Sequence, residues 1–145
     1  MRDLNFLIKP SSSLCNMKCK YCFYMDIAEK RTEYEYGFMV EETLENIIKK
    51  GIEEASGTCS FTFQGGEPTL AGIDFYKKAV DIQKKYQNKR IAIYNAIQTN
   101  GYLIDEEWAS FLGENHFLVG LSLDGTAELH NENRKDKRGK GTWSR

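Results

Sequence analysis

Short apolar runs typical of strands alternate along this chain with apolar residues at helical spacing. This pattern predicts a repeated order of strands and helices. Four short apolar runs are typical of buried strands: Leu4–Lys9, Cys59–Gln64, Ile91–Gln98 and Phe117–Leu123. Apolar residues at helical spacing predict helices over Glu41–Ala55, Ile73–Tyr86, a segment that begins after an N-cap at Asp105, and Ala127–Asn131. Strands that alternate with helices indicate parallel β/α units, and hence either a barrel or a doubly wound sheet.

The two faces of the strands decide between these architectures. In the second predicted strand the polar side is Ser60, Thr62 and Gln64, and the apolar side is Cys59, Phe61 and Phe63. The fourth repeats the pattern, with Gly120, Ser122 and Asp124 opposite Val119, Leu121 and Leu123. A strand buried on both sides of a doubly wound sheet would be apolar on both faces. We therefore predict an α/β fold whose parallel β/α units form the first part of an open, partial TIM-type barrel, with the apolar faces against outer helices.

Four strands are too few to close a β/α barrel. We therefore expect residues 1–145 to be the N-terminal part of a longer domain, with the rest of the barrel outside this sequence. By itself such a piece is expected to be inactive.

Composition narrows the class of protein. The formal net charge of -1 gives no bulk attraction to nucleic acid or to an anionic membrane, so neither is expected as a partner. No apolar run is long enough to cross a bilayer, and Met1–Pro10 lacks the apolar region of a secretory signal. A cytoplasmic location is expected, where the four cysteines are metal ligands or free thiols rather than disulfides.

Three closely spaced cysteines carry the main chemical signal. Cys15, Cys19 and Cys22 follow the first strand within eight residues. A [4Fe–4S] cluster usually takes four thiolates, so three would leave one iron open to a small chelator. The alternatives are a zinc site, a redox dithiol at Cys19 and Cys22, or coincidence. Zinc would need a fourth ligand, and the remaining candidates are remote in sequence: Cys59, His116 and His130.

The cysteine spacing, with the aromatic Tyr21 before the last cysteine, resembles the signature of the radical S-adenosylmethionine (radical SAM) superfamily. Three further segments follow in that superfamily's order: Gln64-Gly65-Gly66-Glu67-Pro68, Gln98-Thr99-Asn100-Gly101 and Gly120-Leu-Ser122-Leu-Asp124-Gly125. A lone Gly-Gly-Glu is more often a turn between strand and helix. Four segments at successive β/α positions are far more specific, and together they span nearly the whole chain.

The resemblance implies two cofactors and their ligands. Cys15, Cys19 and Cys22 would hold the [4Fe–4S] cluster, which cleaves S-adenosylmethionine to a 5′-deoxyadenosyl radical. The residues expected to contact S-adenosylmethionine are Tyr21, Gln64, Gly66, Ser122 and Arg134. Structural roles stay open for three of them: Gln64 as an amide bonded to backbone, Ser122 as a serine bonded to a neighbouring strand, and Arg134 as a solvated charge. Glu67 and Asp124 could equally be structural, and Cys59 reads as a buried thiol.

Within the superfamily, the surroundings of these segments are similar to anaerobic sulfatase-maturating enzymes. The stretches that carry the similarity include Ile8–Ser12, Cys19–Tyr24, Phe61–Gly72, Phe117–Ser122 and His130–Asp136. That subgroup implies a sulfatase polypeptide as substrate, whose Cys or Ser is oxidised to Cα-formylglycine, and flavodoxin or ferredoxin as electron donor. It also implies a SPASM domain and a catalytic base that are not in this sequence. The alternatives are another peptide-modifying maturase, such as a thioether-forming one, or a non-catalytic iron–sulfur or zinc module.

Overall fold

A parallel four-stranded sheet organises the chain, as seen in a computed structural model that describes residues 1–87 and 90–145. The strands are β1 (Leu4–Ile8), β2 (Thr58–Phe63), β3 (Ala92–Thr99) and β4 (Leu118–Leu121). The helices are α1 (Phe23–Glu29), α2 (Glu41–Glu54), α3 (Ile73–Tyr86), α4 (Glu106–Glu114) and α5 (Ala127–Asn133), and a 3₁₀ turn covers Pro68–Ala71. This is the predicted order of β/α units.

The strands lie side by side in sequence order, and every pair is parallel. Phe63 at the end of β2 lies between Ile8 of β1 and Ile97 of β3. Gln98 near the end of β3 is opposite Gly120 of β4. Because the strands are parallel and in near register, their carboxyl ends meet along one edge. In folds of this kind that edge carries the functional site.

The core lies between the sheet and the helices α2 and α3. Cys59, Phe61 and Phe63 of β2 are fully buried, as the alternation predicts for the apolar side of that strand. Helix α3 covers them with Tyr76, whose ring centroid is 5.0 Å from that of Phe63, and α2 adds Leu44, Ile48 and Ile52. The prediction that the apolar face of β2 packs on outer helices is confirmed.

The same expectation is wrong for β4. Val119, Leu121 and Leu123 remain 44%, 57% and 56% exposed, and β4 itself ends at Leu121. Two features explain the exposure. β4 is an edge strand that pairs only with β3, and the end of α5 is hydrogen-bonded to the cysteine loop. The backbone N–H of Lys20 donates to the carbonyl of Asn133 at 2.9 Å, which holds α5 there.

The remaining differences concern short elements. Asp105 is the N-cap of α4, as predicted, and its side chain accepts a hydrogen bond from the Trp108 N–H at 3.0 Å. Helix α1 and the 3₁₀ turn were not expected from the sequence. Neither has enough residues to show a helical period, so pattern alone does not reveal them. None of the helices in residues 1–87 and 90–145 has the length and apolarity that a bilayer crossing requires.

Candidate cofactor site at the carboxyl edge of the sheet

The cysteine loop is fastened over the carboxyl edge of the sheet from two sides. On one side, the backbone N–H of Glu67 donates to the carbonyl of Leu14 at 2.7 Å. On the other, the N–H of Lys18 donates to the carbonyl of Lys135 at 2.8 Å, beside an antiparallel bridge between Met17 and Asp136. The loop is therefore held between the turn after β2 and the segment after α5.

One cavity of about 180 Å³ lies under this loop. Every residue that the sequence singles out for the cluster and for S-adenosylmethionine lines it: Cys15, Cys19, Cys22, Tyr21, Gln64, Gly66, Ser122 and Arg134. Others on its wall are Phe23, Tyr24, Gly65, Glu67, Gln98, Thr99 and Asn100. The fold thus gathers side chains from all four β/α units around a single space.

Gly66 occupies a position that a larger residue would not fit. Its φ is +29°, and a Cβ atom there would lie 2.0 Å from the carbonyl oxygen of Leu14. From the sequence, we expect S-adenosylmethionine to contact this glycine. The structure places the backbone of the cysteine loop there, so the glycine is needed first for the approach of the loop.

Glu67 is a buried carboxylate whose hydrogen bonds are all within the fold. One oxygen accepts from the hydroxyls of Thr69 and Thr99, both at 2.7 Å, and from the Thr69 N–H at 3.1 Å. The other accepts from the Asn100 N–H at 2.8 Å. With 1% exposure, this side chain ties the end of β2 to the end of β3. The structure favours the structural role left open for Glu67.

Tyr21, Asp124 and Arg134 form a chain of contacts at the opposite wall. The Tyr21 hydroxyl lies 2.7 Å from both carboxylate oxygens of Asp124 and accepts from Nη1 of Arg134 at 2.9 Å. Arg134 is only 7% exposed, which rules out the solvated-charge alternative. Its Nε is buried and finds no hydrogen-bond acceptor among the described residues. A buried guanidinium with an unused donor suits an anionic group in the cavity.

Gln98 and Ser122 meet on the lumen face of β3 and the end of β4. The Gln98 amide donates to the Ser122 hydroxyl at 3.0 Å, which is the structural alternative for Ser122. Gly120 leaves room for this amide, since a Cβ there would lie 2.2 Å from the Gln98 side-chain oxygen. Ser122 also lines the cavity, and the bond to Gln98 fixes the position of its hydroxyl.

The thiols differ in their surroundings. All four cysteines are unpaired. Burial raises the pKa of Cys15 to about 11, and burial also raises the pKa of Cys19, where the Arg134 charge opposes the rise. Asn100 Nδ2 lies 3.7 Å from Cys15 Sγ, and the Met17 N–H donates to the same sulfur at 3.4 Å. These donors favour the thiolate that a metal cluster requires.

The three cysteine thiols suit an iron–sulfur cluster better than a single metal ion. In residues 1–87 and 90–145 no three His, Cys, Asp or Glu side chains are grouped so as to hold one metal ion. A four-iron cluster does not require such convergence, because each thiolate binds a different iron. Three thiols that line one cavity, with the Arg134 guanidinium near Cys19, fit a cluster that carries an anionic chelator.

Comparison with known proteins gives the family. The profile of the radical SAM superfamily matches residues 10–145. The chain belongs to the radical SAM superfamily. Members use a [4Fe–4S] cluster and S-adenosylmethionine, and both resemblance-based cofactor predictions are thereby confirmed.

Individual relatives are similar over the whole chain. It is 55% identical over 145 residues to a cysteine-type anaerobic sulfatase-maturating enzyme of Clostridium perfringens, and covers 39% of that protein. It is 42% identical over 143 residues to a serine-type enzyme of Bacteroides thetaiotaomicron, and covers 34% of it. The chain therefore spans less than two fifths of the length of these relatives.

Solved structures agree with the fold. The structure of anSMEcpe with bound AdoMet superposes with a TM-score of 0.91 at 55% identity, over 99% of this chain and 38% of the other. A second structure, of anSMEcpe with AdoMet and the Kp18Cys peptide, gives the same TM-score. The four parallel strands correspond to part of the open barrel of that protein, so the predicted fold class is confirmed.

Proposed function

We propose that residues 1–145 are the N-terminal part of the radical SAM core of an anaerobic sulfatase-maturating enzyme, with the rest of the barrel and a SPASM domain elsewhere in the protein. The observation that carries the proposal is the 55% identity to the cysteine-type enzyme of Clostridium perfringens, in an alignment that covers all 145 residues of the chain. Identity to the serine-type relative is lower. We therefore expect the target to be a cysteine of a sulfatase polypeptide, which becomes Cα-formylglycine.

The three loop cysteines would be the protein ligands of the cluster. When bound, cluster and S-adenosylmethionine supply an electron and a 5′-deoxyadenosyl radical that removes a hydrogen atom from the substrate β-carbon. Cys15 has an N–H of Met17 and an amide of Asn100 directed at its sulfur. These donors hold the thiolate in place and withdraw charge from it.

The other predicted residues would hold S-adenosylmethionine. Arg134 has the charge and the unused Nε donor for its carboxylate. Tyr21, fixed between Asp124 and Arg134, positions that guanidinium. Ser122 and Gln64 offer neutral hydrogen bonds from the lumen face, and Gly66 keeps the loop close enough to complete the wall.

Partners follow from the same proposal. Structures of the related enzyme contain the Kp18Cys and Cp18Cys peptides, which supports a peptide substrate here. Flavodoxin or ferredoxin as electron donor, a cytoplasmic location, and the absence of nucleic-acid and membrane partners stay predictions from the sequence.

The cofactor site is tested by S-adenosylmethionine cleavage. Full-length enzyme, reconstituted anaerobically and reduced with dithionite, should form 5′-deoxyadenosine. Replacement of Cys15, Cys19 or Cys22 by Ala should abolish the product and remove the iron of this one cluster, about four atoms per chain. Cys59→Ala is the matched control, because Cys59 is buried in the core away from the cavity. Retained cleavage in the triple variant would refute the site.

The reaction is tested with peptides. A sulfatase active-site peptide with a central cysteine should gain an aldehyde, detected by mass spectrometry, with one 5′-deoxyadenosine per product. The serine peptide serves as comparison and should react more slowly. An enzyme that cleaves S-adenosylmethionine and modifies neither peptide would exclude sulfatase maturation and favour another peptide-modifying maturase.

A further inference from the structure

Cys15 is part of two different surfaces. It lines the cofactor cavity, and it also lines a separate depression of about 390 Å³ on the outer side of the loop. The wall of that depression includes Leu14, Met17, Met25 and Tyr34, with Lys18, Lys137 and Glu29 at its polar parts. One cysteine side chain thus separates the space for S-adenosylmethionine from a surface that solvent reaches.

Two lysines, Lys18 and Lys137, line this depression, and further basic residues lie in the same two segments of chain. Lys18 and Lys20 belong to the cysteine loop, and the hairpin that pairs with it carries Lys135, Lys137, Arg138 and Lys140. All but Lys135 are exposed. We refer to these six residues as the basic rim. They come together because Lys18 and Lys135 are joined by a backbone hydrogen bond at 2.8 Å.

Carboxylates offset only part of this charge. Glu132 pairs with Lys20 at 2.9 Å. Asp136 is 7% exposed, and its oxygens accept from the N–H groups of Arg138 and Lys140 within the hairpin. Glu29 is a carboxylate on the wall of the depression. Residues 15–20 and 135–140 carry six Lys and Arg side chains against one carboxylate, Asp136, so these two paired segments are positively charged. The whole chain has a net charge of -1. The positive surface is therefore a local feature of the cysteine loop.

An apolar depression with cations beside it suits a small, acidic protein partner. Redox complexes have small interfaces and form through long-range charge attraction followed by brief contact. A nucleic acid or a vesicle would also be attracted by the cations. Neither, however, would make use of a surface that shares Cys15 with the cofactor cavity.

We propose that the depression at Leu14, Met17, Met25 and Tyr34, with its basic rim, is the docking surface of an acidic one-electron carrier protein. The carrier binds on the side where Cys15 lies and reduces the cluster. The proposal rests on the function proposed above. One electron passes from the reduced carrier to the cluster, the carrier is oxidised by one electron, and no bond or proton changes. Carrier and S-adenosylmethionine then approach Cys15 from opposite sides.

Charge reversal on full-length enzyme tests the surface. Lys18→Glu combined with Lys137→Glu should weaken binding of a purified acidic ferredoxin at low ionic strength by about tenfold or more, measured as Kd by biolayer interferometry. Because Lys18 is in the cysteine loop, Lys137→Glu with Lys140→Glu is a second variant that leaves the loop intact. Lys50→Glu with Lys84→Glu, on the outer faces of α2 and α3, makes the same change of charge elsewhere. That control should keep the wild-type Kd.

A second measurement separates docking from catalysis. Cluster reduction by reduced ferredoxin, followed by stopped-flow absorbance, should slow in the rim variants in parallel with Kd. Dithionite should still support 5′-deoxyadenosine formation in those variants. Ferredoxin binding that is unchanged in both rim variants would overturn the docking surface. So would a rim that binds only an oligonucleotide or anionic vesicles. Failure of dithionite-driven cleavage in wild-type enzyme would instead contradict the proposed function and leave the Kd comparison valid.

Discussion

The carboxylate of Glu67 and the hydroxyl of Thr99 are joined by a buried hydrogen bond of 2.7 Å. These residues are 32 positions apart and lie in the turn after β2 and at the end of β3. Glu67 also receives the Asn100 N–H, and its own N–H holds the cysteine loop at Leu14. A single glutamate therefore connects two strands to the loop that supplies the thiols.

Replacement of Glu67 should destabilise the fold more than replacement of its partner. Glu67→Gln places an NH₂ group where a buried oxygen now accepts from an N–H or hydroxyl, and we expect a loss of about 2–3 kcal/mol. Thr99→Val removes one hydroxyl donor and should cost about 1 kcal/mol. Denaturant unfolding of the cluster-free, full-length protein measures both. Equal midpoints for the two variants would contradict the central position of the glutamate.

Gly66→Ala should prevent cluster assembly. Its Cβ would lie 2.0 Å from the Leu14 carbonyl oxygen, so the loop would have to move. We expect the iron of this one cluster, about four atoms per chain, to be missing after anaerobic reconstitution. Gly113→Ala is the control: it lies in α4 with open space around it and should stabilise the protein by about 0.5–1 kcal/mol. Full iron content in Gly66→Ala would show that the loop adapts.

Arg134→Ala should weaken S-adenosylmethionine binding by about tenfold or more, the value of one charge-assisted hydrogen bond. Arg138→Ala, an exposed arginine of the adjacent hairpin, should leave the affinity unchanged. Tyr21→Phe removes the contact that positions Arg134, and its effect should be smaller than that of Arg134→Ala. Equilibrium binding to cluster-loaded enzyme of known iron content provides the measurement. An unaltered affinity in Arg134→Ala would assign this guanidinium to structure alone.

Cys59 should stay unreactive as long as the chain is folded. Burial raises its pKa to about 11, so at pH 8 the thiol is almost entirely protonated, and the neutral form is not the nucleophile. Between the ordinary thiol pKa of 9.0 and this raised pKa of about 11, Cys59 ionises in the unfolded chain but not in the folded core, so stability falls as the pH rises through this range. Pulsed alkylation at pH 8 should therefore label Cys59 only in step with global unfolding. Rapid labelling in the native protein would show that the core opens locally.

Strands and long helices could be predicted because they contain enough residues to show the spacing of their apolar positions. Helix α3 has the predicted bounds, Ile73–Tyr86, and β2 differs from its prediction by one residue at each end. Helix α1 was missed, because its seven residues come directly after Cys22 and mix aromatic and charged side chains without a clear stripe. The apolar side of β4 was assigned to the interior by parity alone. Parity identifies a face and does not reveal what covers it.

The candidate site likewise has residues that could be predicted from the sequence and contacts that could not. Spacing pointed to the three cysteines, and the resemblance to the radical SAM superfamily pointed to Arg134. The contact between Gly66 and Leu14 could not be read from the sequence, since it depends on how the loop folds back over β2. The bridge from Asp124 through Tyr21 to Arg134 joins residues up to 113 positions apart. Only the three-dimensional packing of α5 on the loop brings them together.

The exposed β4 edge also predicts how the chain behaves as an isolated polypeptide. Leu118 and Leu121 are 75% and 57% exposed, beside backbone groups that pair on only one side. A strand of this kind is a template for intermolecular sheet growth. We expect residues 1–145 produced alone to self-associate as concentration rises, so preparation of this polypeptide will require either a solubility partner or a polar substitution such as Leu118→Lys.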